Sequence, residues 1–419
     1  MYSHKTTIIM RKESDEKNRQ NLATDYILQS YDGRLRFDTI AQKLQIYKPH
    51  PDTGEEGWYY LSNADIYSMV CDACRETGAT ITSREVLTVL NAGDRYIQQF
   101  NPFKEYLNSL APYTGTTDWI DWLASQVTVA PGSEELWRSC FRKWFVGMIA
   151  GWMKEGVVNQ HVLVLVGKQG IYKTTWLEKL LPPELRNYGA KLTNLSSITK
   201  DDRLKFCEFG LLNCDELDAI NQRELNVLKS LITTTEVCER PAYGYSKDKR
   251  RRVASLCGST NRMEFLTDQT GNRRWMPFLV ENIQSPFDAL IPYGRVYAQA
   301  LYLLEHGFNY WMEMSEIEVL DRHNEEFRAV EGEEQLLPIL FDVPCEGGGI
   351  FLTTQQISER LVTFGNIKNP MPTNRLGMVL NAAGYKSVRR RIGNTLTRGY
   401  LVYQRLSSEI EALKNQLVE

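Results

Sequence analysis

Residues His161 to Leu181 read HVLVLVGKQGIYKTTWLEKLL. The run Val162 to Val166 is apolar and mostly β-branched, the pattern of a strand buried on both faces in a parallel sheet. It breaks at Gly167-Lys168-Gln169-Gly170-Ile171-Tyr172-Lys173-Thr174 and resumes as an amphipathic helix stopped by Pro182-Pro183. Strand, glycine loop and helix in that order make a phosphate cradle. Amides at the helix N-terminus face the anion, Lys173 neutralises β/γ-phosphate charge, and the Thr174 hydroxyl is placed to hold Mg²⁺. The nucleotide-binding set read from this stretch is Gly167, Gln169, Gly170, Tyr172, Lys173, Thr174 and Thr175. The alternative is an ordinary βα connection rich in turn residues. Tyr172 stands where G-x-x-x-x-G-K-[ST] carries its second glycine. Glycine serves there because the backbone approaches the phosphates in a conformation that a side chain disfavours. The tyrosine tells against fast hydrolysis more than against binding.

The 419 residues predict two to four structural units. With 42% hydrophobic and 24% charged residues the chain reads as an ordinary soluble globular protein. A net charge of −3 argues against a globally basic nucleic-acid binder, so any basic surface is local. No stretch is long and apolar enough to span a membrane, and the first twenty residues lack the apolar segment of a secretory signal. The eight cysteines are scattered, which fits a reducing cytoplasm. Cys71 and Cys74 form one close pair in a helical-looking segment, Ala64 to Thr77, and two half-buried thiols are favoured there over a metal site.

Downstream of the loop, Gly210 to Cys214 suits a central strand ending in Asp215-Glu216. Beside a phosphate loop, Asp215 would hold the Mg²⁺ shell and Glu216 would polarise the attacking water; the alternative is a helix N-cap. A helix follows over Gln222 to Thr235. Glu239 to Arg252 then joins a turn-rich tip, two tyrosines and a basic run. That composition suits a hairpin on a phosphate backbone, with Lys247, Lys249, Arg250, Arg251 and Arg252 as contacts, or a solvated charged loop. A strand over Val253 to Ser259 ends in Thr260-Asn261, where Asn261 would face the γ-phosphate or the attacking water. Arg273-Arg274 follows a turn and could be presented to a neighbour's nucleotide, or be a surface pair.

Upstream, residues 1–99 read as a small α+β region, with strands near Gly33–Phe37 and Gly57–Leu61 and no legible chemistry. Residues 100–155 carry aromatic residues at helical spacing and read as a helical bundle preceding the core. Arg138, Arg142 and Lys143 fall on the expected solvated face of its third helix, with direct DNA contact as the alternative.

The ordered set Gly167 to Thr174, Asp215-Glu216, LKSLITTTEVCERPAYG, GSTN (Gly258 to Asn261) and TGNRRW (Thr270 to Trp275) resembles the virulence-associated protein E family, as do FNPFKEYLNSL and FRKWFVGMIAGWM upstream. The resemblance covers roughly Phe100 to Val280. It implies an α/β fold with a P-loop NTPase core of AAA+ or superfamily 3 helicase type, and a replication ATPase of a phage, plasmid or other mobile element. Carried over by position, it implies ATP and Mg²⁺ at Lys173, Thr174 and Asp215, and hydrolysis by Asp215 with Glu216. Asn261 would sense the γ-phosphate, and Arg273 or Arg274 would be a finger across the interface of a homo-oligomeric ring, a hexamer. Tyr172 departs from the family's glycine. No primase-like acidic cluster stands in the first hundred residues, so no priming activity is expected of this chain, and a separate primase is one candidate partner.

The core is expected over 156–300 and a charged helical connector over 301–335. Within 336–405, helix, helix and two strands follow the winged-helix plan, with Arg375, Lys386, Arg389, Arg390 and Arg391 as DNA contacts; a domain for protein contacts only is the alternative. Residues 406–419 read as a short amphipathic helix. The leading expectation is a cytoplasmic, ATP-driven DNA helicase or translocase, with single-stranded DNA in a central channel and duplex origin DNA on the winged helix. The rivals are a nucleotide-responsive origin-binding scaffold with a degenerate ATPase, and an ATPase of phage interference.

Overall fold

The computed structural model describes residues 18–92, 95–192, 197–215, 217, 220, 222–239, 248–266, 272–288, 290–328, 332–344, 348–365, 367, 370–393 and 395–410. The chain divides into two compact units, Met1–Phe327 and Arg328–Glu419.

Unit 1 begins with helix α1 (18–30), strands β1 (Leu35–Asp38), β2 (Lys43–Pro49) and β3 (Glu56–Tyr60), helices α2 (Asn63–Thr77) and α3 (Ser83–Leu90), and strand β4 (Gln98–Phe100). The strands form one sheet in the order β3-β2-β1-β4, with β1 and β4 parallel. Ser62 and Asp65 close a reciprocal capping box that starts α2. The sequence marks β2 only weakly, because Lys43–Pro49 offers the short alternation of Leu44 and Ile46 ahead of the turn-rich Pro49–Gly54. Cys71 is exposed, while Cys74 Sγ bonds the backbone of Ile81.

Next come α4 (Pro102–Asn108), α5 (Trp119–Ala124), β5 (Val127–Val129) and α6 (Glu134–Met153). Asn101 caps α4 by accepting from the Phe103 and Lys104 amides, and Pro102 occupies the first helical position, where its missing N–H costs nothing. Helix α6 is buried around most of its circumference. Its indoles are satisfied by distant carbonyls: Trp144 donates to Leu256 O at 3.0 Å and Trp152 to Gly210 O at 3.2 Å. Arg138 and Arg142 pair with Asp121 and Asp118, whereas Lys143 is buried and donates to Trp311 O and Glu316. Lys143 therefore does not lie on a solvated face.

The remainder of unit 1 is β6 (Val162–Val166), α7 (Lys173–Glu178), β7 (Gly189–Leu192), α8 (Lys200–Glu208), β8 (Leu211–Cys214), α9 (Gln222–Thr233), the hairpin β9 (Glu236–Glu239) and β10 (Asp248–Arg251), β11 (Ser255–Thr260), β12 (Trp275–Ile283), α10 (Tyr293–Glu305) and α11 (Met314–Asn324). Six strands form one sheet in the order β5-β12-β6-β11-β8-β7, parallel except at the β5 edge. Strand β6 is apolar throughout, yet its alternation still sorts two layers. Leu163 and Leu165 join the core with α4, α5, α6, α7 and α10, and Val162, Val164 and Val166 join the core with α8 and α9. The segment 100–155 is thus one covering layer of this sheet and supplies its edge strand, rather than a bundle preceding it. Helix α11 is also part of this body: Leu320 and Asn324 are fully buried, and Asn324 Nδ2 donates to Asn272 O and Trp275 O. It does not serve as a solvated connector.

Unit 2 contains α12 (Gly332–Leu340), β13 (Phe341–Asp342), β14 (Ile350–Leu352), α13 (Thr354–Gly365), α14 (Thr373–Ala382), β15 (Ser387–Ile392) and β16 (Thr395–Gln404). Strand β16 pairs with β13, β14 and β15, all antiparallel. Ile357, Leu361, Leu376, Leu380, Tyr400 and Val402 form its core. Most of the expected C-terminal helix, 411–419, lies outside the described residues.

Candidate functional site

Strands β6, β8 and β11 run in parallel and end at one edge, where side chains from all three meet. In open parallel sheets such an edge is where ligands bind. A cleft of about 370 Å³ lies there, lined by Gln169, Gly170, Tyr172, Lys173, Thr174, Thr175, Asp215, Ser259, Thr260 and Asn261.

Lys173 opens α7, and its buried Nζ donates to Gly167 O at 2.7 Å, Lys168 O at 2.6 Å and Asn261 Oδ1 at 3.0 Å. Burial pushes its pKa down, opposed by the nearby Asp215 carboxylate. The ammonium thus sits in a ring of three acceptors, poised to exchange them for a stronger anionic partner. Thr174 Oγ1 is 3.2 Å from Asp215 Oδ1 and 3.0 Å from Ser259 Oγ, and Ser259 Oγ donates to the same Asp215 oxygen at 2.9 Å. Two hydroxyls and one carboxylate from three separate segments make an all-oxygen donor set of the kind a hard divalent cation prefers. The residues present fit Mg²⁺. Ser259 was not singled out from the sequence, because a serine inside an apolar strand reads as packing; only its place in GSTN pointed to it.

The loop's two special positions have different causes. A Cβ on Gly167 would lie 2.6 Å from Val280 O of the neighbouring strand, so glycine permits the close approach of β6 and β12. Tyr172 adopts φ 67°, ψ 15°, the left-handed region. The backbone keeps the conformation glycine would take with least strain, and the Tyr172 ring projects outward to make an edge contact with Phe287 at 6.2 Å.

The other described residues of the expected set lie elsewhere. Glu216 and Lys247 are outside the described residues. Arg273 and Arg274 precede β12 at the opposite end of the sheet, level with Val162, and line a second cleft with His161 and Trp311. One β6 length separates them from the loop, about 16 Å at 3.3 Å per residue, so they do not meet Lys173 within one chain. Burial, Lys143 and Arg273 push the His161 pKa from its ordinary 6.5 to about 4.

The basic run is largely used inside the molecule. Arg252 is fully buried, donates to Ile232 O and, at 3.0 Å, to Asn159 O, and has its pKa lowered to about 9 by burial. Arg251 donates to Gly151 O and Lys154 O, and Arg250 pairs with Glu208 at 3.0 Å. Arg252 is therefore not a DNA contact, and Arg250 and Arg251 are tied to the body of unit 1 through helices α8 and α6. Lys249 is exposed and lies 3.4 Å from Glu236 across the hairpin. In unit 2, Lys386, Arg389, Arg390 and Arg391 are exposed, while Arg375 is half-buried. Arg398, missed in the sequence, stands directly opposite Arg389.

Fold and site define an α/β protein whose parallel sheet carries a strand–glycine-loop–helix cleft at its C-terminal edge. The chain belongs to the virulence-associated protein E-like domain family, whose model matches residues 107–329. Among solved structures it is similar to "The apo structure of NrS-1 C terminal region (305-718)", with 11% identity, a TM-score of 0.45, and coverage of 88% of this chain and 96% of that one. "The A form apo structure of NrS-1 C terminal region-CTR" matches at 11% identity, with a TM-score of 0.43 and the same coverage. No curated protein matches the sequence. No helix among the described residues is long and apolar enough to cross a membrane.

Proposed function

We propose that this protein binds ATP with Mg²⁺ in the Lys173 cleft and couples its hydrolysis to movement on DNA during replication of a mobile genetic element. The observation that carries this reading is the convergence of Lys173, Thr174, Asp215, Ser259 and Asn261 from three segments at one edge of a parallel sheet. Lys173 would leave its loop carbonyls for the phosphates. The oxygens of Thr174, Asp215 and Ser259 would hold Mg²⁺, which would supply neutralisation of phosphate charge. Asn261, 3.0 Å from the Lys173 ammonium, would orient the terminal phosphate. The strand order, with β6 between β12 and β11, supports a P-loop NTPase core of helicase type.

Arg273 and Arg274 act in this scheme only from a neighbouring subunit, which makes a head-to-tail homo-oligomeric ring, taken as a hexamer, part of the proposal. Unit 2 is read as a winged helix, with α13, α14 and the β15–β16 hairpin as its parts. Arg389 facing Arg398 directly across that hairpin is an unfavourable like-charge pair that a DNA phosphate would relieve. A separate primase would supply primers.

A specific observation favours one rival. Tyr172, held in a conformation that glycine tolerates better, is the mark expected of a cleft that binds nucleotide and turns it over slowly, as in a nucleotide-responsive origin-binding protein. Equilibrium binding of a fluorescent ATP analogue with Mg²⁺ tests the common core of both readings. Wild type should bind, and Lys173→Ala and Asp215→Asn should each lose affinity about tenfold or more. Equal binding by all three would overturn both.

A further inference from the structure

The N-terminal sheet presents a second cleft, on the face away from its helices. Leu35, Leu44 and Ile46 turn toward the small core of α1–α3, and Arg36, Gln45, Trp58 and Tyr60 turn the other way. Pairing sets Arg36 beside Gln45 and Gln45 beside Tyr60 in one row across three strands. Together with α4 and the turn 183–188, this face walls a cleft of about 470 Å³.

The Arg36 guanidinium carbon lies 4.0 Å from the Trp58 ring centre and 3.4 Å from that of Phe100, and Nε donates to Gln45 Oε1 at 2.7 Å. Among the described residues no carboxylate forms an ion pair with it, and burial pushes its pKa down. The planar fork is fixed by its aromatic neighbours and by the one bond through Nε. Across the cleft stand the exposed carboxylates of Glu105 and Glu184, and aromatic rings line both walls, Tyr60 on the sheet and Tyr106 on α4. One cation against two carboxylates disfavours a phosphate. It favours a neutral planar ring with acceptors on one edge and donors on the next. Guanine has that arrangement: O6 and N7 accept from an arginine fork, while N1–H and the N2 amine donate to a carboxylate.

We propose that this cleft binds an unpaired guanine base, read by Arg36 and Glu105, delivered either by a single-stranded nucleic acid or as a free nucleoside. The cleft shares no residue with the Lys173 site and stands whether or not that site turns over ATP. The test is fluorescence anisotropy of the full chain, without nucleotide, on a short labelled oligothymidylate carrying one central guanine, thymine or abasic position. The guanine strand should bind about tenfold tighter than the abasic one. Arg36→Lys, which keeps the charge and loses the fork, and Glu105→Gln, on an exposed side chain, should each cut that affinity to the abasic level. Guanosine has no phosphate for Lys173 to hold. Its competition assigns the site to a free nucleoside, and its failure with the guanine preference intact assigns it to a strand; either result keeps the base as ligand. Equal affinity for all three strands, or a guanine preference that survives both substitutions, overturns the proposal.

Discussion

Replacing Tyr172 separates backbone strain from side-chain contact at the position where the loop departs from its pattern. At φ 67° a Cβ costs about 1–2 kcal/mol, whereas glycine carries no such penalty but loses about 0.5–1 kcal/mol of backbone entropy. Tyr172→Gly should therefore be more stable than Tyr172→Ala by about 0.5–1 kcal/mol. Both variants lose the edge contact between Tyr172 and Phe287, taken as about 0.5 kcal/mol because Tyr172 is 42% exposed. Stability should run glycine at or slightly above wild type, and alanine below it. Urea denaturation followed by tryptophan fluorescence is the assay, because all nine tryptophans precede Phe327 and report unit 1 alone. Midpoints should shift at constant m-value. An alanine variant as stable as the glycine variant would refute the strain argument.

Four further outcomes follow from the same geometry. Ser259→Ala should lower the Mg²⁺ dependence of nucleotide binding about tenfold with little loss of fold stability, read by titrating Mg²⁺ at fixed ATP analogue; an unchanged titration removes Ser259 from the cation shell. Arg252→Ala leaves the carbonyls of Ile232 and Asn159 without their donor and should cost about 3 kcal/mol or more by urea denaturation, a loss inconsistent with a surface DNA contact. His161 keeps its neutral form in the fold while the unfolded chain protonates near 6.5, so stability falls as pH drops from about 6.5 to about 4, by up to about 3 kcal/mol. His161→Gln should flatten that decline, measured by unfolding at a series of pH values. Arg389→Ala with Arg398→Ala should weaken duplex DNA binding and lower its salt dependence, whereas a matched slope would leave unit 2 to protein contacts.

Local pattern made the centre of this protein legible, and long-range partners hid the rest. Val162–Val166 and the glycine loop announce themselves because strand, turn and helix signals follow one another within twenty residues. Asp215 was legible because it ends a short apolar strand. Arg250, Arg251 and Arg252 misled because a basic run looks alike whether it faces water or carbonyls about a hundred residues away, such as Gly151 and Lys154. The layer 100–155 looked separable because aromatic spacing gives the helices but not the sheet face they cover. Arg36 was silent for a similar reason: its meaning depends on the register that sets it beside Gln45 and near Trp58 and Phe100.

Steady-state ATP hydrolysis by wild type and Lys173→Ala, with and without single-stranded DNA, tests the motor reading most directly. Turnover that DNA accelerates and that the substitution abolishes is the predicted result. Nucleotide binding without turnover under any DNA condition would contradict it and leave the Lys173 cleft as a nucleotide sensor.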